Sequence, residues 1–405
     1  MYPLDPADAA FIADPFPVFA RMREAGAALR VRASDNVLEW YVTRFRDVDA
    51  LLRDSDRIAK DEWRLRTGPG RAHVPPVVEY VNRHVLFRDP PDHTRLRALV
   101  NKAFARREVE GLAGPIQTIA DTLIDRVIGR GEMDLVQDFA YQLPQIVIAR
   151  LLGVPERDYG ALRVWIQALV DLTNANAPYA SLAGRLHEFV HYLGGLFSAR
   201  RSKPEADLIT ALVEVHEQGD RLDGPELYNM VVVLIAAGFE TVANFISNAM
   251  LALLRNPEQF DRLRAEPALM ESAVNELLRY DGPVRTSTRR WAAVDFELDG
   301  QRIRRGETIR LVLSSANRDA NVFSDPDRLD LNRDGPRNLA FGGGIHYCLG
   351  ASLAKLEARI ALSTLLERLP NLRLAADPAA LPWRSSILIR GLWKLPIAWE
   401  TSHKP

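Results

Sequence analysis

The chain has a single cysteine, Cys348, in 405 residues. An intramolecular disulfide is therefore excluded, which fits a reducing compartment. Charge of one sign is lacking too. The 52 Lys and Arg against 53 Asp and Glu leave a formal net charge of −1, so no general attraction to nucleic acid or to anionic lipid is expected. Long hydrophobic runs are missing: the longest, Met230–Phe239, is far short of the roughly 20 apolar residues a membrane span needs. Met1–Phe19 carries Asp5, Asp8 and Asp14 with several prolines, and has neither a basic nor an apolar leader region. No Gly/Ser linker, internal repeat or low-complexity tract divides the chain, and no G-x-G-x-x-G follows a strand-like stretch. These absences predict one soluble, cytoplasmic unit over residues 1–405. It has no membrane anchor, no fused flavin or nicotinamide domain and no nucleic-acid partner.

Helical periodicity dominates what is there. It predicts helices over Pro17–Glu24, Arg46–Leu52, Arg95–Phe104, Pro115–Ile128, Pro144–Leu152 and Glu156–Leu172. Further helices are expected over Ala180–Arg201, Asp207–Gln218, Pro225–Arg255, Pro257–Ala265, Ala268–Tyr280 and Gly350–Leu369. Strand-like stretches are fewer: Leu29–Val31, Trp40–Thr43, Phe296–Leu298, Gln301–Ile303, Thr308–Leu313, Ile387–Ile389 and Pro396–Trp399. The pattern is mainly α, with a small β-rich part made from both chain ends. Ser55–Asp89 shows no clear period, and a segment that long without regular structure is usually functional or mobile.

The lone cysteine sits in Phe341-Gly342-Gly343-Gly344-Ile345-His346-Tyr347-Cys348-Leu349-Gly350. Glycine permits φ > 0 and close approach to a bound partner. The apolar 4-3-4 spacing of Leu349, Leu353, Leu356 and Ile360 starts a helix at once. A helix start offers N–H groups without intrahelical acceptors, an environment that favours thiolate, the metal-binding form. By itself a lone cysteine is usually a small buried hydrophobe. The string F-G-x-G-x-H-x-C-x-G with a helix behind it resembles the haem-ligand loop of the cytochrome P-450 family. There the cysteine thiolate is the axial ligand of haem iron.

Four other stretches stand in the order that family shows. Asp89-Pro90-Pro91-Asp92-His93 leads to Arg97, and His93 and Arg97, four apart, share a helix face. Alone this reads as a solvated basic stripe; the resemblance implies that both hold a haem propionate. The longest predicted helix carries the apolar run Val231–Gly238 and then Glu240-Thr241. Thr241 could simply bond back to the carbonyl of Ala237. The stretch also looks like the family's A-G-x-[DE]-T motif, in which Ala237 and Gly238 admit the flat cofactor and Glu240 and Thr241 deliver protons. Val242 stands where a second hydroxyl is often found. Glu276 and Arg279 form E-x-x-R; a surface pair would suit the spacing equally, but the resemblance implies a buried pair joined by Arg333, serving folding and haem retention. Arg290, five before Asp295, matches R-x-A-x-x-D and implies a further propionate partner, with Arg289 as its neighbouring competitor. His346 is implied as another.

The resemblance therefore implies a mainly α, single large triangular domain with a small β region, binding one haem b (iron protoporphyrin IX) through Cys348. Phe341, Gly342 and Gly350 complete its cradle. The implied activity is monooxygenation: dioxygen is activated to hydroxylate or epoxidise a hydrophobic small molecule. Electrons would come from a ferredoxin and its NAD(P)H-dependent reductase, with Lys102, Arg106 and Lys355 as docking charges. Two alternatives are a peroxide-driven haem-thiolate enzyme and a haem sensor or carrier without turnover. Substrate-pocket candidates are Trp63, residues near Leu172–Tyr179, Val233, Ala237, Thr286, Ser287, Ile387 and Leu388, mostly small or apolar.

Overall fold

The computed structural model describes the chain except residues 34–35, 66–76, 78–79, 82–83, 102–103, 173–178, 218–221 and 402–405. It divides into two compact units. The first comprises Met1–Ala59, Val109–Leu143 and Thr241–Pro405, and the second Lys60–Glu108 and Pro144–Glu240. The main helices are α1 (Phe16–Ala25), α2 (Phe45–Arg53), α3 (Asp92–Asn101), α4 (Ala113–Asp125), α5 (Gln142–Leu152) and α6 (Tyr159–Leu172). They continue as α7 (Tyr179–Ser202), α8 (Leu208–Glu217), α9 (Gly224–Leu254), α10 (Pro257–Ala265), α11 (Met270–Asp281) and α12 (Ala351–Arg368).

The strands lie in the first unit. A five-stranded sheet has the order β1–β2–β8–β5–β3, with β1 Ala28–Arg32, β2 Leu38–Val42, β3 Ile58–Ala59, β5 Arg290–Ala292 and β8 Thr308–Leu311. All neighbours run antiparallel except β2 and β8, which pair in parallel with Glu39 opposite Thr308 and Val42 opposite Leu311. Successive side chains of a strand face opposite sides, and both sides of this sheet are covered. Trp40, Val42, Ile309 and Leu311 join Val48, Leu51 and Leu52 of α2 in one cluster. Tyr41 and Val31 pack with Phe11, Phe19 and Met22 in another. A three-stranded sheet joins β4 (Glu132–Asp134), β10 (Pro396–Ala398) and β9 (Arg373–Leu374). The hairpin of β6 (Phe296–Leu298) and β7 (Gln301–Ile303) turns at Asp299-Gly300, both with φ > 0, as a tight two-residue turn requires. In the same unit α12 packs along α4 and against α11.

The described part of the second unit is helical. α6, α7 and α8 pack in succession, with Trp165 stacked on Phe189 at 5.5 Å between ring centroids. α9 begins with reciprocal bonds: Glu226 N–H donates to Asp223 Oδ1 at 2.7 Å and Asp223 N–H to Glu226 Oε2 at 3.0 Å. Such caps are worth about 1 kcal/mol. Arg95 of α3 closes bidentately on Glu226 at 2.5 and 3.0 Å. By length and composition α9 would pass for a membrane-crossing helix, with mean hydropathy 1.9 over its most apolar 18 residues, but 67% of that stretch is buried inside the protein. It is the core helix its all-round apolar pattern predicts.

Two expectations are corrected. Ile387–Ile389 is not a strand: Ile389 alone makes a bridge, to Val284, because the backbone around it bonds to side chains described below. Ser55–Asp89 is not wholly irregular, since it holds β3, a short helix Glu62–Leu65 and a turn at Val85–Phe87.

Candidate active site

The cysteine loop folds back on itself before α12. Gly342 N–H donates to Leu339 O at 2.8 Å, Tyr347 N–H to Gly344 O at 3.1 Å and Cys348 N–H to Phe341 O at 3.0 Å. Cys348 O then accepts from Ala351 N–H at 3.4 Å, and Gly350 caps the helix. Cys348 is a half-buried thiol, in no disulfide, two residues before that cap. Arg337 braces the loop, with its guanidinium 4.2 Å from the Tyr347 ring centroid and Nη2 donating to Gly342 O at 3.3 Å.

The glycines have three different reasons. Gly344 has φ +65°, and a Cβ there would run into Leu52 O and stand 3.0 Å from Arg53 Cα. At Gly343 a Cβ would meet Leu52 Cβ at 3.3 Å. Their close approach within the protein is thus to the end of α2. Gly342, at φ +68°, needs glycine for its backbone. Gly350 has an ordinary φ of −84°, and a Cβ would meet nothing within 4 Å. Neither strain nor the chain's own packing demands glycine there, so a side chain at 350 would be excluded only by something bound beside it.

Also in the first unit, Arg290 on β5 is buried. Its competitor Arg289 is committed elsewhere: Nε bonds Glu39 Oε1 at 2.5 Å, and Arg310 bonds the same carboxylate at 2.6 and 2.9 Å. Burial pushes the Glu39 pKa up, but the two guanidiniums outweigh it and hold the carboxyl below its ordinary value. His346 is half-buried. Glu276 and Arg279 make a buried bidentate pair at 2.7 and 2.8 Å, and Arg333 Nε adds a bond to Glu276 at 3.1 Å. The expected three-residue cluster is present.

In the second unit His93 is buried and Arg97, one turn on, is half-buried, its Nε donating to Asn101 at 3.2 Å. Burial first, then the charge of Arg97, lowers the His93 pKa, with Asp89 opposing. The pair therefore offers a neutral imidazole donor beside a cation.

α9 carries a local opening. Val231–Ile235 and Val242–Met250 are buried, whereas Ala237 is exposed and Ala236, Gly238, Glu240 and Thr241 are half-buried. Ala237 and Thr241, four apart, share that face. Gly238 is explained differently from the expectation: a Cβ there would press on Ile148 Cδ1 of α5 at 3.3 Å. The small residue left to admit a flat group is Ala237.

The pocket expectations fare unevenly. The Ser287 hydroxyl accepts from Leu311 N–H at 3.2 Å, and the Thr286 hydroxyl donates to Ile387 O at 3.3 Å while accepting from Arg310 at 3.4 Å. Both hydroxyls are bonded inside the first unit. Ile387 packs against the Phe11–Phe19 cluster, and Leu388 is half-buried. Val233 is buried. The Trp63 side chain and the residues near Leu172–Tyr179 fall outside the described set. Of the docking charges, Lys102 lies outside it and Arg106 is exposed. Lys355 is half-buried, its ammonium 5.7 Å from the Phe341 ring centroid, and burial lowers its pKa. Unforeseen in the sequence were Leu52, which no motif links to the loop, and Arg285, whose partners are distant carbonyls.

The donor set suits haem. Within the first unit one thiol lies two residues before an unstrained glycine, with Arg290 and His346 as donors; within the second, His93 and Arg97 are donors of the kind that pair a propionate, which is costly to bury unpaired. Among the described residues no three His, Cys, Asp or Glu side chains are grouped to hold a metal ion.

A family model for cytochrome P450 matches residues 196–374. Cytochrome P450 107B1 of Saccharopolyspora erythraea is 45% identical over 399 residues, covering 96% of each chain. The solved cytochrome P450 PksS of the Bacillus subtilis 168 bacillaene polyketide synthase superposes with a TM-score of 0.91 at 38% identity, covering 98% of this chain and 100% of its own. A myxobacterial cytochrome P450, CYP267B1, solved with myristic acid, gives 0.91 at 41% identity, covering 97% and 98%.

Proposed function

Because the chain belongs to the cytochrome P450 family of haem-thiolate monooxygenases, we propose that residues 1–405 act as one cytoplasmic monooxygenase domain that hydroxylates or epoxidises a hydrophobic small molecule. The cofactor would be haem b, and the Cys348 thiolate would hold its iron. When bound, haem supplies the redox chemistry that activates dioxygen. The carrying observation is that the only thiol of the chain is held in a self-bonded loop directly before a helix.

This chain's residues do the rest. Cys348 Sγ, as thiolate, fixes the iron. Arg290, Arg97, His93 and His346 neutralise and hold the propionates. Ala237 lets the ring approach α9. Thr241 Oγ1 holds a proton at the reacting face, and the Glu240 carboxylate resupplies it. The Glu276–Arg279–Arg333 cluster keeps the polypeptide under the loop in place. The substrate reading is a polyketide-like or long-acyl molecule, supported by the naming of one relative for polyketide biosynthesis and by myristic acid in another. Electrons come from a ferredoxin with its NAD(P)H-dependent reductase, docking on basic residues of which Arg106 is the exposed one. Reduction that is independent of salt would contradict that docking.

The test is the reduced, carbon-monoxide-treated absorption spectrum together with ferredoxin-supported turnover of a polyketide lactone and of myristic acid. Wild type should give the thiolate-haem band and oxygenated product, and Cys348→Ala should lose the band. A band that survives the substitution sinks the ligand assignment. Turnover with peroxide but not with ferredoxin would replace the electron route.

A further inference from the structure

α7 is long but poorly supported by its own sequence. It contains Gly184, Gly194 and Gly195, and glycine inside a helix is costly because it orders the freest backbone. Gly194 has a packing reason, since a Cβ there would stand 2.7 Å from Tyr228 Oη. Gly184 and Gly195 are exposed, and a Cβ at either would meet nothing within 4 Å. Packing holds only the other face, where Leu186, Phe189 and Leu193 are buried and Phe189 stacks on Trp165 of α6.

Between those glycines stands His187-Glu188-Phe189-Val190-His191. The string matches H-E-x-x-H, the helical pattern in which two histidines one turn apart ligate zinc and the glutamate acts as general base. Residues four apart carry their Cβ atoms roughly 5–6 Å from each other on one face, and both histidines are exposed. Two exposed histidines are ordinarily just solvated side chains. Here one is prepared for ligation. His187 Nδ1 lies 2.7 Å from Ala183 O. A carbonyl only accepts, so Nδ1 carries the proton and the lone pair of the neutral ring is left on Nε2. A backbone carbonyl that holds Nδ1–H is the partner that fixes the ligating tautomer of metal-bound histidines. Among the described residues His191 has no hydrogen bond or ion pair, so its ring is free to turn toward the same ion.

The hydrolytic use of the pattern is not present. Neighbours in sequence do not share a helix face, and the Glu188 carboxylate leans to α6, where Oε2 accepts from Trp165 Nε1 at 3.5 Å. Among the described residues no third His, Cys, Asp or Glu joins the pair. An ion there would take two protein nitrogens and complete its shell with water. Imidazole suits zinc, nickel or copper(II), whereas magnesium and calcium take oxygen ligands.

We propose that His187 and His191 form a surface site for one divalent transition-metal ion of the zinc type, and that the bound ion staples the turn 187–191 of α7 between its unsupported glycines. The site is separate from the haem chemistry and does not rest on the monooxygenase reading.

The test uses untagged full-length holoprotein freed of loose metal by a chelator. Calorimetric titration with zinc chloride should show a site for one ion per chain. His187→Gln and His191→Gln, both at exposed positions where folding should be undisturbed, should each weaken it by at least about tenfold. Nickel should compete for the site and magnesium should not. Saturating zinc should slow amide hydrogen exchange over residues 187–192 in wild type and in neither variant. Zinc held equally by wild type and either variant marks an adventitious ion or a one-histidine contact and overturns the proposal. Zinc that leaves exchange in that turn unchanged removes the staple and overturns it as well.

Discussion

Replacing Glu276 by Gln keeps shape and removes one charge from the buried cluster. The carboxylate accepts from Arg279 at 2.7 and 2.8 Å, from Arg333 at 3.1 Å and from Asp330 N–H at 3.0 Å. The side chains of Glu276, Arg279 and Arg333 are 4%, 2% and 9% exposed, so solvent cannot compensate. Breaking a buried pair by removing one partner costs about 3–5 kcal/mol. Arg279 retains the carbonyls of Asn317, Pro326 and Arg328, which softens the loss toward the lower end, about 3 kcal/mol. That is a large share of the roughly 5–15 kcal/mol that holds a domain folded. The half-exposed pair Arg262–Glu266, at 3.5 Å, is the control, and Glu266→Gln should cost about 0–1 kcal/mol. Urea unfolding of both variants, with haem per polypeptide measured alongside, makes the comparison. Equal losses in the two variants would refute the reasoning. So would failure of Glu276→Gln/Arg279→Met to recover part of the single-variant loss, since the pair should be replaceable where half of it is not.

Gly344→Ala should lose haem or fail to fold, because residue 344 needs φ +65° and has the α2 backbone against its Cβ position; the left-handed conformation alone costs ~1–2 kcal/mol. Gly350→Ala, unstrained in the polypeptide, should fold normally and reveal crowding only in haem content. Glu357 on α12 is buried, its Oε2 has no hydrogen-bond partner, and burial raises its pKa well above the ordinary value. The unfolded chain loses that proton first, so stability is fully present below the ordinary carboxylate pKa and is lost as pH rises toward the folded value. Glu357→Gln should flatten this fall as pH rises above the ordinary carboxylate range in a melting series; an unchanged slope would assign the loss to other groups. Thr241→Ala should leave haem bound while NAD(P)H is consumed with less product; full coupling would remove Thr241 from proton delivery.

What was legible followed from local pattern. The apolar run Val231–Gly238, Asp223 with Glu226 and Asn256-Pro257 bracketed α9 to within a residue at each end. The strand-like stretches Phe296–Leu298 and Gln301–Ile303 are β6 and β7 with the same bounds. E-x-x-R put Glu276 and Arg279 on one face, and the burial of that face is what their geometry realises. What escaped were reasons that live across the chain. Gly238 and Gly344 looked like room for a ligand, but Ile148 and Leu52 occupy the space, and no local window contains both partners. Thr286 and Ser287 read as polar pocket residues because their acceptors and donors, at Ile387 and Leu311, are set by pairing in the folded unit. Ile387–Ile389 had strand composition, but the Ile387 carbonyl accepts from the Thr286 hydroxyl and the Leu388 and Ile389 amides donate to Ser386 Oγ, so no ladder forms beyond one bridge. That Arg289 bonds Glu39, 250 residues away, could not be read from its neighbourhood.

The parallel pairing of Glu39 with Thr308 and the docking of Gly344 on Leu52 also carry a temporal meaning. At about 5–20 residues per second, a ribosome takes tens of seconds to make the partner of β2. Until then β2 has only β1 to pair with, and the far end of α2 has nothing to seat. The thiol loop, later still, has its platform ready before it is made. Anything that Cys348 is to hold can be taken up only after that loop has been made, and a chain truncated before Gly344 has no thiol with which to attempt it.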